Sequence, residues 1–309
     1  MPNTFIKADQ IVEAAALLLQ REIVLPRTVW TQPSAAFVGA LDDTITLRVP
    51  AVRTARTRTM RSATALQADD LAETSVPVKL DTHVYDLLNI TDEQLTLDIV
   101  NFARQVLAPQ MRSVAEGMEN VIADTLDAAA VTTGATLTAV DVSTAPTAGE
   151  AFAVAVAARK VLNDLNVPRG ERFLVLGSSL EAWFLQDPVV VNHNSGNRNA
   201  LDDATISRIA GFTIVGSNAV DSELGYAYHR TAVAFANVAP ALPEGAAMKS
   251  RIATEGLALR YLRDYNPTNA TGPVDRSLVD AFVGAASVVD GDDENRRLVK
   301  LSTTDAGSS

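Results

Sequence analysis

The sequence contains no cysteine among its 309 residues. This absence excludes disulfide bonds, thiolate metal sites, cysteine-ligated iron–sulfur clusters and cysteine nucleophiles. Histidine is almost as rare, because only His83, His193 and His229 occur, and no two of them are spaced to share a helix turn. We therefore predict that the chain holds no metal ion and no cofactor.

Long apolar runs and excess basic charge are also missing. The longest apolar run, Ala151 to Ala158, is mostly alanine and is too short to cross a bilayer. The N-terminus lacks the basic and then apolar pattern of a secretory signal. We therefore expect a soluble chain without a membrane partner, made in a cytoplasm. The net charge of −11 disfavours sequence-independent binding to phosphate backbones.

Apolar residues make up 47% of the chain, which is enough to bury a core. Apolar and polar residues alternate in Thr44–Val49 and again in Val76–Asp81, and this period predicts half-buried strands. We predict that the two strands pair as a long hairpin. Pro77 donates no ladder hydrogen bond, so the second strand is expected to be an edge strand or to have that face free.

The far end of this hairpin has an uneven charge distribution. Its outgoing side carries five arginines and no acid: Arg48, Arg53, Arg56, Arg58 and Arg61. Its returning side carries three acids: Asp69, Asp70 and Glu73. Large apolar residues are sparse from Arg53 to Ser75, and so long a loop is uncommon within a compact domain. Two hypotheses remain open: the loop docks on a neighbouring molecule, or it is a solvated surface loop.

Helix signals occupy the middle of the chain. Thr91 and Gln94 match a capping box, which predicts a helix start. Pro109 is expected to break or kink that helix, and an amphipathic helix follows over Met111–Leu126. Further helices are predicted from a second capping box at Thr147 and Glu150 to Leu165, and from a cap at Ser178 or Ser179 to Pro188.

The rest of the sequence reads mainly as strands. They are predicted within Val131–Pro146 and at Phe173–Leu176, Phe212–Val215, Tyr226–Val238, Ile252–Leu262 and Ser277–Val289. Asn192–Asn199 is polar and contains glycine, which predicts an exposed loop tip. The fold is expected to end at Asp290, with loose residues from Ser302 onwards.

Two features suggest an enzyme, and each has a simpler explanation. Gly177-Ser178-Ser179 lies between a predicted strand and a predicted helix, as a nucleophile elbow does, but the glycine required two residues after the serine is missing. A helix cap explains these serines better. His193 lies in the polar loop, where a catalytic base is poorly positioned. A soluble hydrolase using His193 or Ser179 is therefore the weaker alternative, and we predict no catalytic residue.

The order of these elements resembles the major capsid proteins of tailed bacteriophages, which share the Hong Kong 97-type shell fold. The resemblance covers about residues 5–290 and lies in the order and spacing of several stretches. These stretches are GALDDTITLRVP (39–50), LDTHVYDLLNITDEQLTLDI (80–99), MRSVAEGMENVIADTL (111–126), AGFTIVGSN (210–218), EGLALRYLRDYN (255–266) and RSLVDAFVGAASVVD (276–290).

The resemblance implies an α+β fold with five parts. They are an N-terminal arm (1–43), an extended E-loop hairpin (44–82), a peripheral domain with a long spine helix (83–146 and 240–268), an axial domain (147–239 and 269–290) and a C-terminal tail (291–309). It places the loop at Asn192–Asn199 near a symmetry axis. It also implies that the arginines and acids of the hairpin contact an adjacent subunit.

The resemblance further implies a structural role and a set of partners. Copies of the chain would form the pentamers and hexamers of an icosahedral shell enclosing double-stranded DNA, assembled in the host cytoplasm. The acidic net charge of the subunit is compatible with this role, because a shell should not bind the enclosed DNA tightly. A portal, a scaffolding protein and, in some phages, a decoration protein would be the other partners. The sequence shows no long N-terminal scaffolding extension, so we expect that scaffolding protein to be separate.

The sequence departs from the family's namesake at one chemical point. The namesake joins its subunits through a lysine–asparagine bond whose lysine lies on the E-loop. Here no lysine occurs between Lys7 and Lys79, so we predict no covalent cross-linking. Two non-enzymatic alternatives stay open: an encapsulin-type compartment with the same fold and a protein cargo, and a tail or other virion protein that forms tubes or rings.

Overall fold

A computed structural model gives the fold. It describes residues 24–32, 44–49, 55–62, 65–66, 68, 74–99, 101–191, 208–254, 257–268, 272–290 and 294–303. The predicted loop tip at Asn192–Asn199 lies outside these residues.

The described strands are β1 (Trp30–Gln32), β2 (Thr44–Val49), β3 (Thr74–Lys79), β4 (Thr82–Thr91), β5 (Thr136–Val140), β6 (Arg172–Leu176), β7 (Arg208–Ile209), β8 (Phe212–Gly216), β9 (Leu224–His229), β10 (Val233–Val238), β11 (Met248–Thr254), β12 (Leu257–Asn266), β13 (Val274–Ser287) and β14 (Leu298–Thr303). The α-helices are α1 (Ala108–Ala128), α2 (Glu150–Asp164), α3 (Ser178–Gln186) and the short α4 (Pro188–Val191).

The strands form two six-stranded sheets and one two-stranded ribbon. The first sheet has the order β1-β10-β13-β12-β11, and β4 pairs with the other side of the long strand β13. The second sheet has the order β5-β14-β9-β6-β8-β7, and the ribbon consists of β2 and β3. This mixture of helices and mainly antiparallel sheets is the α+β class expected from the sequence.

Alternating side chains place α1 and the ribbon on opposite faces of the first sheet. On β10, Val233 and Phe235 join the core that α1 fills with residues such as Met118. The intervening Ala234 and Ala236 contact the ribbon instead. Because strand side chains alternate between faces, one strand supports both layers.

The helix α1 also packs against the second sheet. Val175 of β6 belongs to the α1 core, whereas Leu174 and Leu176 face the helices α2 and α3 on the other side. The buried Asn295 links the end of α1 to the turn between β9 and β10. Its backbone N–H donates to the carbonyl of Ala130 at 2.7 Å, and its side chain donates to the carbonyl of Ala232 at 2.8 Å. The spine helix predicted over Met111–Leu126 is thus confirmed as α1.

Residues 24–32 are anchored to the chain's own body. The backbone N–H groups of Val24 and Leu25 donate to Glu119 Oε1 of α1, at 2.6 and 3.0 Å. Leu25 and Val29 are fully buried in the α1 core. This part of the expected N-terminal arm therefore needs no second molecule for its position.

The C-terminal segment corrects the expectation that the fold ends at Asp290. Strand β14 lies inside the second sheet, parallel to β5 and antiparallel to β9. Leu298, Val299 and Leu301 are buried there, and Ser302 is part of the strand. The long strand β13 pairs with β4 and β12 of the first sheet.

The first capping box forms but does not begin a regular helix. Thr91 N–H donates to Gln94 Oε1 at 3.1 Å, and Gln94 N–H donates to Thr91 Oγ1 at 3.3 Å. The turn that follows has the wider π-helical bonding over Gln94–Asp98 and ends in extended backbone at Ile99. A second π-helical turn leads into α1, so the helical path continues through Pro109 without a break. Pro109 directly follows the second π-helical turn, whose last bond runs from the N–H of Ala108 to the carbonyl of Ala103.

The caps of α2 and α3 differ from the prediction. At Thr147 only half of the capping box forms, and α2 starts at Glu150. Its free N–H groups are bound by the buried carboxylate of Asp187, at 2.8 Å from Gly149 and 3.0 Å from Ala151. Neither Ser178 nor Ser179 caps α3 with its side chain, because Ser179 N–H donates to the carbonyl of Ser222 instead. The predicted end of α3 before Pro188 is confirmed.

Two segments predicted as single strands are each two strands. The segment Tyr226–Val238 contains β9 and β10, which belong to different sheets and are separated by a 3₁₀ turn at Arg230–Ala232. The segment Ile252–Leu262 spans parts of β11 and β12, which form an antiparallel hairpin. Strand propensity alone did not show where the chain reverses. No helix within the described part of the chain has both the length and the apolarity to cross a membrane.

Candidate inter-subunit surface

The predicted hairpin is confirmed, and its base is part of the folded body. Strands β2 and β3 pair antiparallel, from Thr44 opposite Lys79 to Val49 opposite Thr74. Val76 and Val78 are buried against the first sheet, and the intervening Pro77 is exposed on a ribbon with free edges. At its end, β3 crosses β13 so closely at Gly284 that a Cβ there would lie 1.8 Å from the carbonyl oxygen of Lys79.

The segment between these strands, residues 50–73, is here called the arginine loop. Its described residues have no helix or strand, and all except Ser62 are exposed. Met60 is 89% exposed and Leu66 is 82% exposed, which are the two highest values among the large apolar side chains described. Isolated exposed apolar residues are common, but two at such values on one projecting loop favour burial by another molecule.

The structure exposes those loop arginines that it describes. Arg48 lies on β2 opposite Ser75, and Arg56, Arg58 and Arg61 lie on the loop itself. The remaining candidates, Arg53, Asp69, Asp70 and Glu73, lie outside the described residues. Contact of all eight side chains with an adjacent subunit therefore stays a prediction.

Strand β4 is a second exposed feature, and no strand was predicted there from the sequence. It runs for ten residues and pairs with β13 from Thr82 opposite Val283 to Thr91 opposite Val274. Tyr85 and Leu87 are 60% and 47% exposed. The aromatic and β-branched residues in its sequence, THVYDLLNIT, were the signal that could have identified a strand.

A buried charge cluster holds β4, β12 and β13 together. Asp280 of β13 is fully buried, and both of its oxygens accept hydrogen bonds from Arg260 of β12, at 2.9 and 2.5 Å. His83 Nε2 of β4 lies 3.0 Å from the same carboxylate. The His83 ring also packs against Tyr85 and Phe282, with ring centroids 5.2 and 4.9 Å away. Because a buried carboxylate is tolerated only when it is paired, this cluster is structural.

Only part of the candidate enzymatic set lies within the described residues. Ser178 and Ser179 occupy the first turn of α3, and His193 lies outside the described residues. His229 accepts a hydrogen bond from the N–H of Thr231 at 3.3 Å, and burial together with the nearby Arg297 lowers its pKa. Within the parts of the chain that the structure covers, no three His, Asp or Glu side chains are grouped as a metal ion requires.

Comparison with known proteins places this architecture among viral shells. A chain from Mycobacterium phage Che8 has a TM-score of 0.64 at 19% identity, covering 91% of each chain. The capsid of cyanophage P-SCSP1u has a TM-score of 0.65 at 11% identity, covering 98% of this chain and 90% of the other. The mature capsid of bacteriophage PhiM1 has a TM-score of 0.59 at 13% identity, covering 99% and 90%. No curated protein matches the sequence.

A family described as phage capsid protein matches residues 73–286, which is well over half of the chain. The match favours a phage shell over the encapsulin-type and hydrolase alternatives, and the fold agrees with the Hong Kong 97-type expected from the sequence. The matched region runs from the start of β3 to the end of β13 and so includes α1, the Asp280 cluster and most of both sheets. This chain therefore belongs to the phage capsid protein family, and it is a shell-forming structural subunit.

Proposed function

We propose that copies of this chain form the pentamers and hexamers of a closed icosahedral shell that encloses the double-stranded DNA of a tailed phage. The observation that carries the proposal is the hairpin, whose base is buried in the chain's own body and whose loop projects with Met60 and Leu66 almost fully exposed. Such a loop gains burial only when a second molecule covers it.

The physical basis of assembly is the sum of many modest contacts. Each subunit repeats the same contacts around a ring, and closure makes the last contacts intramolecular, which raises their effective concentration. The arginines at positions 48, 53, 56, 58 and 61 meet acidic surface on the adjacent subunit. Charge pairs of this kind set register and specificity more than affinity.

The two sheets suggest how the family's domains are divided here. The first sheet with α1 forms the peripheral domain, and the second sheet with α2 and α3 forms the axial domain. Residues 1–43 form the N-terminal arm and residues 44–82 the E-loop hairpin. The loop at Asn192–Asn199 lies near a symmetry axis. No lysine occurs in the arginine loop, so the shell is held without covalent cross-links.

The subunit acts together with other virion components. A separate scaffolding protein directs assembly in the bacterial cytoplasm, a portal occupies one vertex, and a decoration protein can bind the finished shell. The net charge of −11 keeps the wall from binding the enclosed DNA tightly.

Charge reversal in the arginine loop tests the proposal. The variant with Arg53→Glu, Arg56→Glu and Arg58→Glu together should form no shells by negative-stain electron microscopy. Its circular dichroism and melting temperature should match those of the parent subunit, because the described members of the set, Arg56 and Arg58, are exposed. The matched control replaces the same three arginines with lysine, keeps the positive charge and should retain assembly.

Each result has a defined meaning. Shells of normal size and yield from the triple glutamate variant would contradict docking by the loop. Tubes or open rings from the parent chain would contradict the closed icosahedral shell. A parent chain that stays monomeric at high concentration, even with a scaffolding protein added, would contradict shell formation as a whole.

A further inference from the structure

In the order of the described strands, the chain passes between the two sheets three times. The connections are residues 129–135 between α1 and β5, the 3₁₀ turn Arg230–Ala232 between β9 and β10, and residues 288–297 between β13 and β14. Asn295 of the third connection donates hydrogen bonds to the carbonyls of Ala130 in the first and Ala232 in the second. The three connections are therefore bonded to one another, and together they are called the junction below.

His229 is the last residue of β9 and lies where the second connection begins. It is 7% exposed. Its backbone N–H donates to the carbonyl of Arg297, in the third connection, at 3.1 Å. Its ring Nδ1 accepts the backbone N–H of Thr231 at 3.3 Å and lies 2.9 Å from Thr231 Oγ1. The imidazole therefore caps the turn that leads from the second sheet into the first.

This cap requires an uncharged ring. An imidazole nitrogen accepts a hydrogen bond only through its lone pair, so the proton of the neutral ring is on Nε2. When a second proton binds Nδ1, both ring nitrogens become donors. The backbone N–H of Thr231 then faces another N–H and has lost its acceptor. Protonation at this one atom removes a hydrogen bond from the turn.

The charged groups around His229 also oppose a proton on its ring. Arg297 approaches from the third connection, where its Nη1 donates to Thr231 Oγ1 at 2.8 Å. Arg172 is buried and lies directly opposite His229 in the pairing of β6 with β9. Glu171 is the carboxylate that acts on the ring, and it also forms an ion pair with Arg230 at 3.4 Å. A charged imidazole would therefore add a further cation to a site where cations already predominate.

The pKa of His229 agrees with this geometry. Burial lowers it most, Arg297 lowers it further, Glu171 raises it and Arg172 lowers it. The folded subunit therefore has an uncharged His229 at neutral pH and takes up the proton only below the ordinary value of 6.5.

We propose that His229 controls the junction between the two sheets by gaining and losing a proton. With an uncharged ring, the turn is capped and the sheets keep their present orientation. With a charged ring, the turn loses its cap, and repulsion from Arg172 and Arg297 loosens the bonds between the connections. One sheet of the subunit then rotates slightly relative to the other about α1, which packs against both.

Pulsed electron paramagnetic resonance can measure this rotation, because the chain has no cysteine of its own. Cysteines that replace the exposed Lys249 of β11 and Lys160 of α2 would carry one spin label on each side of the junction. As the unassembled subunit is taken from about pH 7.5 to about pH 5, the distance between the labels should shift, with a midpoint below the ordinary histidine value. The same labels in His229→Asn should show no shift, because the amide oxygen accepts from Thr231 at every pH.

Hydrogen exchange at the backbone amide of Thr231 gives a second measurement. Its protection factor should fall about tenfold over the same pH range, which corresponds to the loss of one hydrogen bond. The amides of β6, which lies between β8 and β9 in the second sheet, are the internal control and should keep their protection.

A charge substitution tests whether His229 is the group that takes up the proton. Glu171→Gln removes the carboxylate that raises the pKa of His229, so the midpoint of both changes should move to lower pH. The control Asp98→Asn removes an exposed carboxylate outside the junction and should leave the midpoint unchanged.

The outcomes are distinct. A distance shift that persists in His229→Asn would overturn the role of His229. Loss of protection at Thr231 without a change in label distance would overturn the rotation of the sheets. An unchanged midpoint in Glu171→Gln would show that another group takes up the proton. Because Glu171→Gln keeps the histidine, that result is decisive even if His229→Asn fails to fold.

Discussion

The base and the loop of the hairpin are covalently continuous, yet their environments are opposite. Val76 and Val78 at the base are buried against β10, which belongs to the first sheet. Met60 and Leu66 on the loop are the most exposed large apolar side chains described. The base is therefore stabilised within one chain, whereas we propose that the loop is stabilised by contacts between chains. A substitution in the body should lower subunit stability, and a substitution in the loop should weaken assembly.

The largest expected effect on stability is at Asp280. Asp280→Ala should lower the free energy of unfolding by about 3–5 kcal/mol, because it leaves the partly buried guanidinium of Arg260 without its carboxylate. Urea unfolding of the unassembled subunit measures this change. The control Asp98→Ala removes an exposed carboxylate and should change stability by less than about 0.5 kcal/mol. Similar losses from both variants would show that Asp280 has no special structural role.

Substitution of one methionine in the body and one in the loop tests the difference between the two regions. Met118→Ala in α1 removes a fully buried side chain and should cost about 2–5 kcal/mol of subunit stability. Met60→Ala in the loop should change subunit stability by less than about 0.5 kcal/mol, since that side chain is already solvated. The second variant should instead raise the concentration needed for assembly, as light scattering can measure. Loss of subunit stability in Met60→Ala would contradict the assignment of the loop to contacts between chains.

A smaller effect is expected at Asp187, which caps α2 from a distant part of the chain. Asp187→Ala leaves the N–H groups of Gly149 and Ala151 without their acceptor and should cost about 1–3 kcal/mol. Asp187→Asn keeps one acceptor oxygen and should recover part of that loss. Thermal unfolding of the two variants checks the order, and equal melting temperatures for both would rule out the cap.

The smallest expected effect is the pH response of His229. Burial lowers its pKa below the ordinary 6.5, so the unfolded chain binds more protons as the pH falls through that value. Its contribution to stability is complete above pH 6.5 and is lost as the pH falls towards the folded-state pKa. His229→Gln should flatten the decline of subunit stability measured by urea unfolding between pH 7.5 and 5. An unchanged slope would contradict this.

Local patterns predicted those parts of the fold that depend on near neighbours in sequence. The alternation in Thr44–Val49 and Val76–Asp81 identified the hairpin, and apolar spacing identified α1. The role of β14 was missed because its six residues are stabilised by strands far away in sequence, β5 and β9. The Asp187 cap was missed for the same reason, since 36 residues separate it from Ala151. Thr147, which is nearby in sequence, was the predicted cap, and only half of its capping box forms.

The candidate surface could be predicted only in part. Sequence showed the arginines and the lack of large apolar residues in the loop, which favoured a role outside the chain's own core. It did not show the free edge of β4, because the same residues would be buried if another strand of the chain lay beside them. Edge position is a property of sheet order, and sheet order depends on long-range pairing.

Limited trypsin digestion measures the central claim most directly, because trypsin cleaves after arginine and the loop carries Arg53, Arg56, Arg58 and Arg61. In unassembled subunits, cleavage in this segment should be fast and should precede cleavage in the body. In shells formed by the same chain, the same bonds should be protected while the shells remain intact. Equal cleavage rates in subunits and intact shells would contradict stabilisation of the loop by a neighbouring copy.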